Sequence, residues 1–375
     1  MKILLTGGGS GGHFYPVIAV AQAINQIAKE EKLAEVHLFY MAPQPYDREL
    51  LFENKMTFVP CAAGKSRRYF SLLNYLDMFK TAWGAFKAVW KLFWIYPDVV
   101  FGKGGYVSFP ALFAARFLRI PVVIHESDSV PGRVNAWAGK FAQRVAVSYP
   151  DAAQYFKPEK VAFTGNPVRQ EVIHTAREGA HEFLKLDNSL PLILILGGSQ
   201  GSQIINETII DALPQLLQKY QVYHQTGENN LIPVQETAKV ILQNNPNKTR
   251  YHAVGHVDSL TLRMLAGIAD VIISRAGSTI FEIAVWGVPA ILIPISSSNG
   301  NHQHNNAYSY AREGGGVVIE ENNLTGHILS AEVERIMTKE GLHQKMVDSA
   351  KKFARTDAAH TIAKEIVSIA LSHEK

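Results

Sequence analysis

The chain opens on MKILLTGGGSGGHFYP, and no other stretch narrows the fold as much. An apolar run ends at Gly7, six Gly-or-Ser positions follow, and a helical period begins at once. A short run with no polar face is a strand buried on both sides, the habit of a parallel sheet. Glycines let the backbone turn tightly from that strand into a helix. The same design restarts in PLILILGGSQGSQIINETI. Further apolar runs lie at Ile3–Leu5, Val36–Tyr40, Val99–Phe101, Val122–Ile124, Val145–Val147, Leu192–Leu196, Val271–Ile273 and Ala290–Ile293, with helix-length segments between most of them. That alternation is βαβ grammar. At 375 residues the chain is about twice the usual domain size. The expected architecture is α/β: two Rossmann-like parallel-sheet domains facing across a cleft, joined near the FTGNPVRQEV stretch. The boundaries read as 1–163 and 164–350, with a helix over 351–375 packing back toward the first domain.

Composition excludes several classes. A net charge of +4 is too mild to require nucleic acid. The single cysteine, Cys61, rules out an internal disulfide framework and a cysteine-based zinc site, and suits a reducing cytoplasm. KILL is too short for the core of a signal peptide, and no run of about 20 apolar residues is present.

Gly7, Gly9 and Gly12 satisfy the dinucleotide fingerprint G-x-G-x-x-G. A ribose-binding acid should then end the second strand, but HLFYMAPQPYDRE carries Asp47 only well into the loop. The loop is therefore room for a backbone or polar head group rather than an NAD site. His13 reads either as a helix-entry residue or as a base. Its place at the carboxyl edge of a parallel sheet favours the base, since neutral imidazole can take a hydroxyl proton. FGKGGYVSFP and HESDSVPG follow later strands, so their loops should open on the same edge. There Gly104 and Gly105 permit close approach, while Tyr106, Ser108, His125, Glu126 and Asp128 supply donors and acceptors; the plain alternative is a pair of polar turns.

In the second half, Ser199, Gln200 and Gly201 open a helix, which suits a diphosphate. In SRAGSTIFE, Glu282 has two readings that spacing does not separate. Thr279-x-x-Glu282 fits a capping box. Equally, the amides of Gly277, Ser278 and Thr279 could face phosphate while Glu282 accepts the hydroxyls of a ribose. ISSSNGNHQHNNA holds His302 and His304 without a third ligand at metal spacing, so sugar hydroxyls suit it better than a metal. With no D-x-D in the chain, a departing diphosphate would need helix N-termini and a cation such as Arg169.

KSRRYFSLLNYLDMFKTAWGAFKAVWKLFWIYPD is basic and aromatic. Phe79, Trp83, Phe86, Trp90 and Phe93 share one helical stripe, extended by Met78, Ala82, Ala85, Val89 and Leu92, with Lys80, Lys87 and Lys91 alongside. The apolar arc spans roughly 200°, against the ~100° that a core-facing helix needs. A buried face explains about half of it. The rest, flanked by Lys65, Arg67 and Arg68, reads as a footprint for an anionic membrane.

Taken in order, GGGSGGHFYP, GKGGYVS, HESDSVPG, TGNPVR, GGSQGS and RAGSTIFEIAVWGVPAILIP with its HQHNNA loop resemble the MurG family of lipid-linked peptidoglycan N-acetylglucosaminyltransferases, over essentially the whole chain. The resemblance implies a GT-B fold and inverting transfer of GlcNAc from UDP-GlcNAc to the 4-hydroxyl of MurNAc in lipid I, giving lipid II at the cytoplasmic membrane face. No cofactor is obligatory on this reading, and the partners are UDP-GlcNAc, lipid I, an anionic membrane surface and other cell-wall synthesis or division proteins. It implies His13 as general base and Glu282 as the ribose acid. Ser10, Gly11, Gly12, Arg169, Ser199, Gln200, Gly201, Gly277, Ser278 and Thr279 fall to the donor, Val257 to uracil, and His302 and Gln303 to GlcNAc. Gly104, Gly105, Tyr106, His125, Glu126, Asp128 and Asn135 fall to the acceptor. Arg67, Arg68, Phe79, Trp83, Phe86, Lys87, Trp90 and Lys91 fall to the membrane. Ser10 stands where threonine is usual, HESDSVPG replaces an HEQN-type stretch, and Lys103 offers an added diphosphate contact. Rival readings are another GT-B glycolipid glycosyltransferase, a UDP-GlcNAc epimerase, or a non-catalytic nucleotide-sugar or lipid-diphosphate binding protein.

Overall fold

The structure, a computed structural model, describes residues 1–64, 73–198, 200–296 and 301–373. Seven strands form an all-parallel first sheet: β1 (Lys2–Thr6), β2 (His37–Ala42), β3 (Met56–Pro60), β4 (Val99–Gly102), β5 (Val122–Glu126), β6 (Arg144–Val147) and β7 (Val161–Phe163), in the order β3-β2-β1-β4-β5-β6-β7. Six more form a second: β8 (Leu192–Leu196), β9 (Gln221–Gln225), β10 (Tyr251–Val254), β11 (Ala269–Ser274), β12 (Ala290–Leu292) and β13 (Gly316–Val318), in the order β10-β9-β8-β11-β12-β13. The α/β expectation is met. Every apolar run singled out in the sequence overlaps a strand, with Val36 just before β2 and Ile293 just after β12. Each sheet reverses direction of growth at its first strand, between β1 and β4 and between β8 and β11. Ligands in open parallel sheets bind outside the carboxyl ends of the strands at such points.

The chain divides into two compact units, residues 1–170 with 355–375, and residues 171–354. In the first, Ile3 and Leu5 face a core shared with helix Gly11–Glu30 and helix Ala358–His373, which supplies Ile362, Ile366 and Ile369. Leu4 faces the opposite core with Val100, Ile124, Ala88 and Leu92. The second unit is built alike, with Ile193 and Ile195 packed on Ile205, Ile209 and Leu213 of helix Gln203–Leu216.

Strand β9, QVYHQ, carries no apolar run yet is fully buried, because its polar side chains are paired inside. Gln221 donates to the carbonyls of Asp187 (2.7 Å) and Leu190 (2.9 Å). His224 meets Asn206 Oδ1 at 3.0 Å through Nε2 and the Tyr251 hydroxyl at 2.9 Å through Nδ1. Burial pushes His224 down to about 3, so the ring is neutral. Nε2–H must then donate to Asn206 while Nδ1 accepts from Tyr251.

Helix Leu73–Ile95 packs its small residues inward: Ala85, Ala88 and Leu92 are buried, while Phe79, Trp83, Phe86, Trp90, Phe93 and Trp94 are each 56–68% exposed. Ala85 and Leu92 therefore belong to the core side of the arc rather than extending the aromatic stripe. Gly84 lets the helix lie directly on the chain at Ala62, since a Cβ there would overlap the Ala62 carbonyl. The Gly84→Val variant is expected to lose about 1–3 kcal/mol of stability by overpacking, read as a lower denaturant midpoint.

Candidate functional site

On the first unit the glycine loop after β1 enters helix Gly11–Glu30 through Ser10. Ser10 occupies the N-cap, but its hydroxyl makes no capping bond to the helix. It meets Nδ1 of His13 at 3.0 Å instead, fixing the imidazole. The ring lies against the loop after β4: a Cβ added to Gly105 would sit 3.6 Å from His13 Nε2. Gly105 has φ +74° and Gly104 φ +94°, a backbone region that favours glycine. Tyr106 closes on Gly9 across the same edge, where a Cβ would come within 3.2 Å of its ring. His13, Gly105 and Tyr106 thus meet at the carboxyl ends of β1 and β4, and each is half-buried.

Behind them lies a buried polar layer. His125 Nε2 contacts the Gly165 carbonyl at 3.0 Å and the Ser148 hydroxyl at 3.2 Å. Burial first, and the nearby Lys103 second, hold its pKa well below the ordinary histidine value, so it is neutral. The Glu126 carboxylate accepts from the amides of Asp128 (2.9 Å) and Gly132 (3.0 Å) and from Asn135 Nδ2 (2.9 Å). Asn135 also donates to the His125 carbonyl at 2.9 Å. His125, Glu126 and Asn135 are therefore interior residues, whereas Asp128 reaches the surface. Lys103 is wholly buried, so it does not offer a surface contact to a diphosphate. Arg169 falls on the first unit, its guanidinium 4.1 Å above the Tyr15 ring.

On the second unit, Gly198 and Gly201 take positive φ in the loop after β8, Gln200 is exposed, and Ser199 lies outside the described residues. Ser202 caps helix Gln203–Leu216 without a capping bond of its own side chain, because that hydroxyl accepts from Arg275 at 2.6 Å. Arg275 also donates to the Ile293 carbonyl (2.9 Å) and pairs with Glu321 (2.7 Å). Glu321 accepts from the Ser296 amide at 2.8 Å. Burial opposes ionisation of Glu321, but the Ser296 and Arg275 bonds outweigh it and hold the carboxyl below its usual range. One guanidinium so ties together the loops after β8, β12 and β13. Sequence reasoning passed over it: the loop glycines drew attention in SRAGS, and Glu321 is remote in sequence.

Helix Thr279–Trp286 begins after Ser278, so Thr279 is its first residue and not its cap. A capping box places its acid three residues beyond the cap. Glu282 is one residue too far along, and the capping-box geometry is not formed. Gly277 and Ser278 are half-buried beside it, with open space at Gly277. His302 and Gln303 start helix His302–Arg312, and Gln303 Oε1 accepts from the Ile295 amide at 3.1 Å. Folding brings Glu320 within 3.2 Å of His304, a carboxylate that spacing did not reveal. Among the described residues no three groups cluster as a metal site. Val257 is buried just ahead of helix Ser259–Ile268.

On helix Leu73–Ile95, Lys87 lies 5.1 Å over the Trp83 ring, and Lys91 donates to the Pro60 carbonyl. Arg67 and Arg68 lie outside the described residues.

Residues 3–147 match the glycosyltransferase family 28 N-terminal domain and residues 192–362 its C-terminal domain. A UDP-N-acetylglucosamine–N-acetylmuramyl-(pentapeptide) pyrophosphoryl-undecaprenol N-acetylglucosamine transferase of Bacillus cereus is 36% identical, covering 97% of this chain and 99% of that one. The enzyme of that name from Clostridium novyi is 32% identical over 100% and 99%. The crystal structure of Acinetobacter baumannii MurG aligns with a TM-score of 0.72 at 23% identity, covering 98% and 99%. A UDP-GlcNAc 2-epimerase from Neisseria meningitidis aligns at 0.68 and 15% identity over 98% of this chain and 100% of that one. These two structural likenesses establish the shared two-sheet GT-B architecture alone.

Removing the guanidinium by Arg275→Ala is expected to cost about 1.5–3 kcal/mol, the range for hydrogen bonds to charged groups. Chemical denaturation should show the loss in the unit spanning 171–354.

Proposed function

We infer the division of labour from one premise: the chain belongs to glycosyltransferase family 28, among the MurG transferases, and is an N-acetylglucosaminyltransferase that forms lipid II. The first unit takes lipid I and the second takes UDP-GlcNAc. The observation that carries the acceptor side is His13, oriented by Ser10 and facing Gly105 at the point where the first sheet reverses.

In the forward step the 4-hydroxyl of MurNAc attacks the anomeric carbon of GlcNAc as the bond from that carbon to the UDP oxygen breaks. The configuration inverts, and the hydroxyl proton passes to His13. In the tautomer whose Nδ1–H donates to Ser10, the lone pair on Nε2 is the basic one, and Nε2 faces the Gly105 loop. Gly104, Tyr106 and Asp128 line the acceptor beside it, with His125, Glu126 and Asn135 beneath. Charge on the departing UDP is met by backbone amides at Gln200–Gly201 and Gly277–Thr279, by Ser199 and by Arg169, with Ser10, Gly11 and Gly12 adding the start of a helix. Glu282 accepts from the ribose hydroxyls. The backbone at Val257 reads uracil, and His302 and Gln303 hold the GlcNAc hydroxyls.

The exposed aromatic face of helix Leu73–Ile95 rests on the anionic cytoplasmic face of the membrane, where the lipid acceptor resides. Lys87, Lys91, Arg67 and Arg68 add charge attraction there, and partner proteins of cell-wall synthesis could share that surface. No described helix is long and apolar enough to cross a bilayer. Aromatic side chains sitting at headgroup level fit a surface anchor.

The decisive assay is transfer of radiolabel from UDP-GlcNAc to lipid I; tight UDP binding without labelled lipid would overturn the reading. His13→Ala is expected to lower kcat by about 10²–10⁴-fold, the usual contribution of a general base. Glu282→Ala should raise KM for UDP-GlcNAc with lipid I saturation little changed. The Trp83→Asp/Trp90→Asp double variant should stay unbound in flotation with anionic vesicles while the parent protein floats.

A further inference from the structure

The mechanism leaves one charged group without a task. Lys103 follows β4 in the GKGGY loop and is wholly buried, yet its ammonium has no hydrogen-bond partner among the described residues. Burying an ammonium without a hydrogen bond is strongly unfavourable unless an opposite charge lies close by. β4 pairs with β5 so that Gly102 lies opposite Ile124, and a Cβ on Gly104 would come within 2.6 Å of Asn135 Nδ2. Lys103 is thereby set beside the end of β5, where the opposite charges are Glu126 first and Asp128 second. Glu126 is itself fully engaged, since its two oxygens take the amides of Asp128 and Gly132 and the side chain of Asn135. These bonds fold residues 127–132 into a closed loop and tie it to helix Arg133–Ala138. An ionised carboxylate offers only acceptors, whereas a protonated one turns an oxygen into a donor that faces these N–H groups.

We propose that Lys103 is a positioning residue for the acceptor: its buried ammonium keeps Glu126 charged, and charged Glu126 holds the 127–132 loop, with Asp128, at the carboxyl end of β5. This rests on the acceptor role proposed for that edge, and it replaces the direct diphosphate contact that the sequence suggested for Lys103. The groups acting on Glu126 come from three elements, one of them helix Arg133–Ala138, whose Asn135 favours the charge through its hydrogen bond. Lys103, from the loop after β4, stabilises its charge, and Asp128, from the loop itself, opposes it. On β5, the adjacent His125 is neutral and adds none; His13, on helix Gly11–Glu30, acts on His125. Burial first and the Asp128 charge second raise the Glu126 carboxyl to about 7, while the hydrogen bonds from the Asp128 amide and Asn135, and then the Lys103 charge, pull it down. Removing Lys103 therefore raises it again, so the loop is held only at higher pH.

The test uses the full chain and its Lys103→Met, Lys103→Arg and Glu126→Gln variants. It measures kcat and KM for lipid I and UDP-GlcNAc against pH, and amide hydrogen exchange across 127–132. In Lys103→Met the acidic limb of kcat/KM for lipid I should move to higher pH, since a charge that favours the ionised carboxylate is gone. KM for lipid I should rise severalfold while KM for UDP-GlcNAc stays within error. Exchange in 127–132 should quicken at neutral pH and slow again as pH rises. Lys103→Arg should restore the parent profile in part, and Glu126→Gln should remove the pH step in exchange. Should Lys103→Met fail to fold, the Lys103→Met/Glu126→Gln double variant removes both charges and is expected to fold with pH-independent exchange. A Lys103→Met protein that is merely less stable, with parental limb, KM and exchange, overturns the proposal. So does a double variant that keeps the parental pH step. If the parent transfers no GlcNAc to lipid I, the acceptor reading fails by itself. The exchange arm then decides whether Lys103 holds the loop, and unchanged exchange rejects it.

Discussion

In β1, Ile3 and Leu5 point to one side of the sheet and Leu4 to the other, and all three are shut off from water. A strand with that pattern has to be covered twice, and each cover is worth about 1.5–3 kcal/mol per large side chain buried. One layer comes from helix Gly11–Glu30 and helix Ala358–His373; the other includes helix Leu73–Ile95, which contributes Ala88 and Leu92. With both faces taken, the free edge is the row of loops at the carboxyl ends of the strands. His13, Gly105, Tyr106 and Asp128 are all drawn from that row. The position of the chemistry follows from the burial of three aliphatic side chains.

That edge is also where the first unit accepts its electrostatic cost. Lys103 and Glu126 are both inside, and among the described residues the Lys103 ammonium has no hydrogen-bond partner. Buried charges of this kind rarely add stability over apolar residues of similar size. Their presence makes sense if they fix the shape of a loop that must be right for substrate. The second unit takes a different course. Arg275 and Glu321 are in direct contact, and their hydrogen bonds reach three loops at once. Both units thus use a charge behind the loops to hold them.

The strands that could be read in the sequence were those whose burial shows as unbroken aliphatic runs, such as LILIL in β8. Strand β9 could not, because it hides Gln221 and His224 by pairing them with groups distant in the chain. Loop positions were legible for a related reason: glycines that permit a turn also mark it. What spacing could not supply was depth. HESDSVPG reads as a polar loop, yet His125 and Glu126 end a buried strand and, of its polar side chains, only Asp128 is part-exposed. Register told against the capping box at Glu282, since the helix starts one residue earlier than a Thr279 cap requires. The aromatic helix was half legible. Its 3.6-residue period located the stripe, but the inward face is set by Gly84 and small alanines, which carry little hydrophobic signal.

Helix Ala358–His373 belongs to the core of the first unit although it is the last element of the chain. Domains usually fold in the order in which the ribosome delivers them. Here the order is inverted. Residues 171–354 leave the ribosome as one uninterrupted unit and can complete their core during synthesis. The unit that begins first must wait, with one side of β1's layer unfinished, until the final helix is released.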